Sequence, residues 1–230
     1  MYNIKTLRGT IFCPPIKYSK DFVSSLSDLT EGYTPVLIRD NGAQPLPVWQ
    51  LLSPDEKEVI QFNNGDKIDL VQVVENNEND ARIHEFSERC KMVFEKILVI
   101  KESPCTRIAL APSIIITEKG VSSVSLYKRV FAIRDFQGAN LESGNLSQVY
   151  RVNQYLDTRE IKINHVVNFH AESELVPISG VNQIRERYIG DFDINTMVNP
   201  EYKFSIDNVK TFFDFATTNF IAFYNLYFPE

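Results

Sequence analysis

The chain has 230 residues, with 24 Lys and Arg against 30 Asp and Glu, 43% hydrophobic and 12% aromatic side chains, and 3 cysteines. A chain this long hides about 70% of the surface its unfolded form exposes, so it needs neither disulfides nor a structural metal, and residues 1–230 read as a single unit. The charged and aromatic content excludes wholesale disorder. The longest apolar runs, 97–100 and 114–116, fall far short of the ~20 residues that span a bilayer, and no signal-peptide core opens the chain, so a cytoplasmic protein with no membrane contact is expected. Cys13, Cys90 and Cys105 are odd in number and widely spaced, which suits a reducing compartment and gives no zinc pattern.

The first fifty residues are turn-rich, with Cys13-Pro14-Pro15, Gly32 to Pro35 and Asp40-Asn41-Gly42. Only Phe22, Leu26 and Leu29 predict a short helix there. Residues 48–53, 59–62 and 68–74 read as three strands of an antiparallel meander around the Asn63-Asn64-Gly65-Asp66 turn. From Arg82 the period changes, and Ile83, Phe86, Cys90, Val93, Phe94 and Ile97 form one stripe of an amphipathic helix. Residues 106–110 and 114–116 are strand, 124–133 follow a Gly120 turn, and 136–144 form a loop. Residues 148–156 and 161–172 predict a second hairpin, and 188–195 a further strand. Ser205 caps a long aromatic helix over 206–227. The fold class is therefore α+β, mainly antiparallel sheet with two principal amphipathic helices. Strands followed by one helix occur twice, so the alternatives are two related halves, 1–120 and 121–230, or one continuous sheet.

No nucleophile elbow, C-x-x-C, H-E-x-x-H, phosphate loop or dinucleotide fingerprint occurs. Strand alternation puts His165 on the apolar face and Asn168, His170 and Glu172 on the other. Asp191 and Asp193 share one strand face and could hold a cation or pair with Arg185 or Arg187. His170, Glu172, Asp191 and Asp193 are thus the candidate metal ligands of a metal-assisted hydrolase or nuclease. No metal, cofactor or catalytic residue is otherwise assigned. His84 reads as helix surface and Cys105 as a buried small hydrophobe. Lys128, Arg129 and Arg134 mingle with aromatics, but the net charge of −6 and pI of about 5.2 argue against nucleic acid. The terminal helix carries Phe215, Ile221, Leu226 and Phe228 outside its main apolar face. A second apolar face is covered either by the chain itself or by another subunit, which makes these four the interface candidates and a homo-oligomer the expected state.

Pro14-Pro15-Ile16, Trp49 followed by Leu52-Ser53-Pro54-Asp55, Ile60-Gln61-Phe62, Thr106-Arg107-Ile108-Ala109-Leu110 and Asp191-Phe192-Asp193 before an aromatic helix form a succession that resembles a sporadically distributed bacterial family of uncharacterised proteins. The family's R-I-G-L-R-Y stands here as Arg107 to Pro112. The resemblance implies a cytoplasmic bacterial α+β protein with an accessory or mobile-element role and supplies no catalytic residues. The functional expectation is a non-enzymatic interaction or assembly module, with the metal-assisted enzyme as the alternative.

Overall fold

The structure is a computed structural model that describes residues 2–38, 48–63, 66–74, 80–117, 122, 125, 126, 128, 139–142, 145–156, 159–178, 181–199 and 201–228. The side chains of 48, 80, 139–152, 155, 159, 174–178, 181–183, 185, 186 and 226 lie outside the description. Most of residues 124–133, and Arg129 and Arg134 of the basic cluster, also fall outside it.

Among the described residues ten strands form one antiparallel sheet, and the α+β class holds. In chain order they are β1 (Tyr2–Phe12), β2 (Thr34–Ile38), β3 (Val48–Leu52), β4 (Glu58–Phe62), β5 (Lys67–Val73), β6 (Arg107–Ile116), β7 (Ala139–Glu142), β8 (Asn145–Leu156), β9 (Arg159–Ile178) and β10 (Val181–Thr196). The helices are α1 (Lys20–Ser25), α2 (Asp80–Lys101) and α3 (Ile206–Tyr227). The strands lie in the order β2-β3-β4-β5-β1-β6-β10-β9-β8-β7, so β1 and β6 form the central seam and a meander leads away on each side.

β1 lies within the segment that reads as turns. Its register against β6 shifts between Ile4 and Thr6, where a bulge lets Ile4 and Leu7 both face the core. That irregularity breaks the alternation by which a half-buried strand is read from sequence. The two short apolar runs around Ala111-Pro112-Ser113 are one strand, β6. Pro112 sits in a central strand opposite Leu7, and the β10 pairing resumes on either side of it, at Ser113 with Asp191 and at Leu110 with Ile194.

Among the described residues, α1, α2 and α3 cover one face of the sheet. Phe22 of α1 meets Trp49 and Phe62 edge-on, and those two rings stack at 3.8 Å. Ile83, Phe86, Cys90, Val93, Phe94 and Ile97 of α2 are buried, as their spacing predicts. Phe94 stacks on Phe213 of α3 at 5.7 Å, and Lys91–Asp214 and Lys210–Glu95 ion pairs tie the two helices outside the core. Gly9 on β1 lets α2 and α3 approach the seam, with Phe94 and Phe213 at 3.3 and 3.4 Å from the position a Cβ would take. Under α2, Arg89 Nε donates to Glu58 Oε1 at 2.9 Å, Arg89 Nη2 donates to the Leu29 carbonyl at 2.6 Å, and the Tyr33 hydroxyl donates to Glu58 at 2.8 Å. Burial is the main cause that lifts the Tyr33 hydroxyl to about 12, with Glu58 adding to it.

Ser205 caps α3 reciprocally: its hydroxyl accepts from the Asn208 amide at 3.2 Å, and Asn208 Oδ1 accepts from the Ser205 amide at 3.0 Å. Only a narrow polar stripe of α3 is exposed, through Asp207, Thr211, Asp214, Thr218, Ala222 and Asn225. Of the interface candidates, Phe228 is buried, stacked on Tyr224 at 4.8 Å and edge-on to Phe169. Phe215 and Ile221 are half-buried against the core, and the side chain of Leu226 is outside the description. The chain itself therefore takes up much of the helix's second apolar face.

Candidate functional site

The face of the sheet opposite the helices mixes polar and charged side chains with apolar ones such as Ile189 and Ala109, and it collects the residues singled out from sequence. His165 is not on it: it lies under α3, edge-on to Phe215 and Phe223, and burial pushes its imidazole down to about 4. His170 and Glu172 project from β9 to the polar side, and Asp191 and Asp193 project to the same side from β10. The alternation that assigns these faces is thus met on both strands.

The side chains link across three strands. Ser113 Oγ on β6 donates to Asp191 Oδ1 at 2.6 Å. Asp191 Oδ2 stands 3.4 Å from His170 Nδ1, and His170 Nε2 stands 3.6 Å from Glu172 Oε1. Glu172 is then neutralised from two sides, by Lys5 Nζ at 2.8 Å and by Arg187 Nη2 at 2.9 Å. Lys5 is the larger cause and Arg187 the next, and together they hold the Glu172 carboxyl down to about 2 against the opposing effect of burial. Arg187 thus pairs across the strands with Glu172. The Arg185 side chain is outside the description.

Among the described residues no group of three or more His, Cys, Asp or Glu side chains is placed to hold a cation. Glu172 already carries two cationic partners, and a divalent ion needs further oxygen ligands beyond Asp191 and His170.

Asp193 is in a different setting. Burial raises its carboxyl above the ordinary range, against the lowering effects of Asn195, Arg107, Lys67 and Arg8. Its Oδ1 is buried without a hydrogen-bond partner. Next to it Asn195, 2% exposed, accepts from both Arg107 Nη2 and Asn164 Nδ2 at 3.1 Å. The Arg107 guanidinium lies 5.1 Å above the ring of Phe12. On the other side of the seam, Asp69 is 2% exposed and fully occupied: it takes Thr10 Oγ1 at 2.6 Å, Asn63 Nδ2 at 3.0 Å and Lys67 Nζ at 3.0 Å.

Sequence reasoning missed Lys5, Arg8, Ser113, Arg107 and Asn195 as members of this face. The β1 residues were hidden by the bulge. For Ser113 and Arg107 the only available signal was the alternation of 107, 109, 111 and 113 through the proline. His84 is exposed on α2 and Cys105 is fully buried, with burial pushing its thiol well up. No helix among the described residues is long and apolar enough to cross a membrane.

Fold and site together define an antiparallel α+β protein with a helix-covered apolar face and a charged opposite face. Neither a scan against protein-family models nor a search of curated proteins returns a match.

Proposed function

We propose that the chain is a non-enzymatic interaction module of two related strand–helix halves, and that the polar sheet face is its contact surface, with a second copy of the chain as the occupant. The observation that carries this is the charged network on the face left by the helices. It displays fixed groups of both signs: Arg8 is exposed, and Lys5, Arg187, Glu172 and Asp191 are partly exposed. A face with both signs can be complementary to itself across a two-fold axis.

The related halves are supported by the strand order, which runs outward from the seam as β1, β5, β4, β3, β2 on one side and β6, β10, β9, β8, β7 on the other. Leu7, Thr10 and Ile11 of β1 correspond to Leu110, Ser113 and Ile114 of β6. The Thr10–Asp69 and Ser113–Asp191 hydrogen bonds, both 2.6 Å, then fall at equivalent positions. Phe86, Cys90 and Phe94 of α2 correspond to Phe212, Ala216 and Phe220 of α3, all of them buried. In this correspondence the halves divide ahead of β6 rather than at residue 120. The resemblance to the sporadic bacterial family adds a cytoplasmic, accessory setting to the proposal.

Native mass and metal content of the purified protein test this reading together. A metal-free dimer or larger assembly is the expected result. A monomer with stoichiometric metal would overturn it in favour of metal-assisted chemistry at His170 and Asp191.

A further inference from the structure

At one end of the seam, where β1 and β10 finish and β5 and β6 begin, a pocket of about 430 Å³ is lined by Phe12, Asp66, Thr106, Arg107, Val198 and Asn199. The volume suits a small molecule. Two of its walls carry opposite charges that do not meet: among the described residues, neither Arg107 nor Asp66 has an ion-pair partner. Arg107 donates only through Nη2, to Asn195 at 3.1 Å, and its Nε–H is buried without an acceptor. Asp66 uses its backbone carbonyl to accept the Cys13 amide at 2.7 Å, while its side chain is exposed at the pocket.

A guanidinium offers a planar fork that matches a carboxylate, and this one is held in place beforehand by the Phe12 ring and Asn195. Such preorganisation lowers the entropic cost of binding. A ligand with only negative charge would meet repulsion from Asp66, and one with only positive charge would meet it from Arg107. A ligand that carries a carboxylate and an ammonium group on one carbon offers a partner to both walls. The apolar surfaces of Phe12 and of Val198, which is 75% exposed, border the same space.

We propose that this pocket binds the zwitterionic head of a free apolar α-amino acid, with Arg107 taking the carboxylate, Asp66 the ammonium group, and Phe12 with Val198 the side chain. The site lies at the end of the seam, shares only Arg107 with the residues of the polar face named above, and needs no second copy.

The test is calorimetric titration of the full chain with L-leucine, L-phenylalanine and glycine singly, with N-acetyl-L-leucine and L-leucinamide as controls that each lack one charge. Leucine or phenylalanine should bind at one site per chain, and both controls should bind at least about tenfold more weakly, the loss of one charged contact. Asp66→Asn and Arg107→Gln should each cost leucine about tenfold or more, whereas Asp66→Asn should strengthen the weak binding of N-acetyl-L-leucine by removing the repulsion. Asp66 is exposed, so its variant reports even where Arg107→Gln unfolds the chain, which a thermal melt reveals. The proposal is overturned if none of the three amino acids gives saturable binding up to about 10 mM, or if leucine binds Asp66→Asn as tightly as the native chain.

Discussion

Replacing Gly9 with alanine tests how closely the helices meet the seam. Gly9 lies on β1 between Leu70 of β5 and Leu110 of β6, and an added Cβ falls inside contact distance of Cys90 Sγ, with Phe94 and Phe213 closing the other sides at 3.3 and 3.4 Å. Cys90, Phe94 and Phe213 are all fully buried, so none can swing out to solvent. Overpacking of one methyl group into such a core costs about 1–3 kcal/mol. For a chain of this size that lowers the melting temperature by roughly 2–12 °C. Cys90→Ala alone removes one buried sulfur and should cost roughly 1 kcal/mol, as for a methylene-sized deletion. In the double variant the new methyl occupies the space the sulfur leaves, so the two changes should couple favourably by at least about 1 kcal/mol. Urea unfolding followed by both far-ultraviolet dichroism and Trp49 fluorescence would measure the cycle. Strict additivity, or a neutral Gly9→Ala, would refute the packing argument.

Three further outcomes follow from buried or charged groups. Arg89→Ala leaves the Glu58 carboxylate, with its side chain only 10% exposed, short of its cation, and should cost about 3–5 kcal/mol in urea unfolding; Arg82→Ala, which breaks an exposed pair with Glu85, should cost no more than about 0.5 kcal/mol. His165 has its pKa lowered from 6.5 to about 4 by burial, so the unfolded chain binds its proton first. Its contribution is intact above pH 6.5 and is lost as the pH falls towards 4, on the order of 3 kcal/mol in all; His165→Gln should flatten that limb, and an unchanged pH profile would refute the assignment. Glu172, held down to about 2 by Lys5 first and Arg187 next, stabilises above its ordinary value of 4.5 and loses that effect between pH 4.5 and 2. Acid titration of Glu172→Gln should show this lower window missing while the His165 window remains.

The two long helices were legible because the apolar spacing of 83–97 and 209–227 repeats at the helical period, and the Ser205 cap marks the start of α3. The hairpin residues 148–172 and the polar face bearing His170 and Glu172 followed from simple alternation, which survives wherever a strand has no bulge. β1 was hidden because its bulge puts Ile4 and Leu7 on one face and because Lys5, Arg8 and Gly9 interrupt the apolar pattern. With β1 unread, the partner of Glu172 on Lys5 and the seam itself had no sequence signal, since pairing between residues 167 apart in the chain is set by topology. The interface residues of α3 were read from the helix alone, whereas burial depends on what the rest of the chain brings against it. Phe228 shows the difference, packed on Phe169 and Tyr224.

The most direct test of the contact surface is sedimentation equilibrium of the native chain and of Arg8→Glu over a broad micromolar range. Arg8 is exposed near the centre of the polar face, so reversing its charge should leave the melting temperature within about 2 °C, as for an ordinary surface substitution. The account expects a native dimer whose dissociation constant rises at least about tenfold in the variant, the scale of a lost interfacial charge contact. A native chain that stays monomeric throughout, or a dimer indifferent to Arg8→Glu, would contradict the assignment of this face as the surface of association.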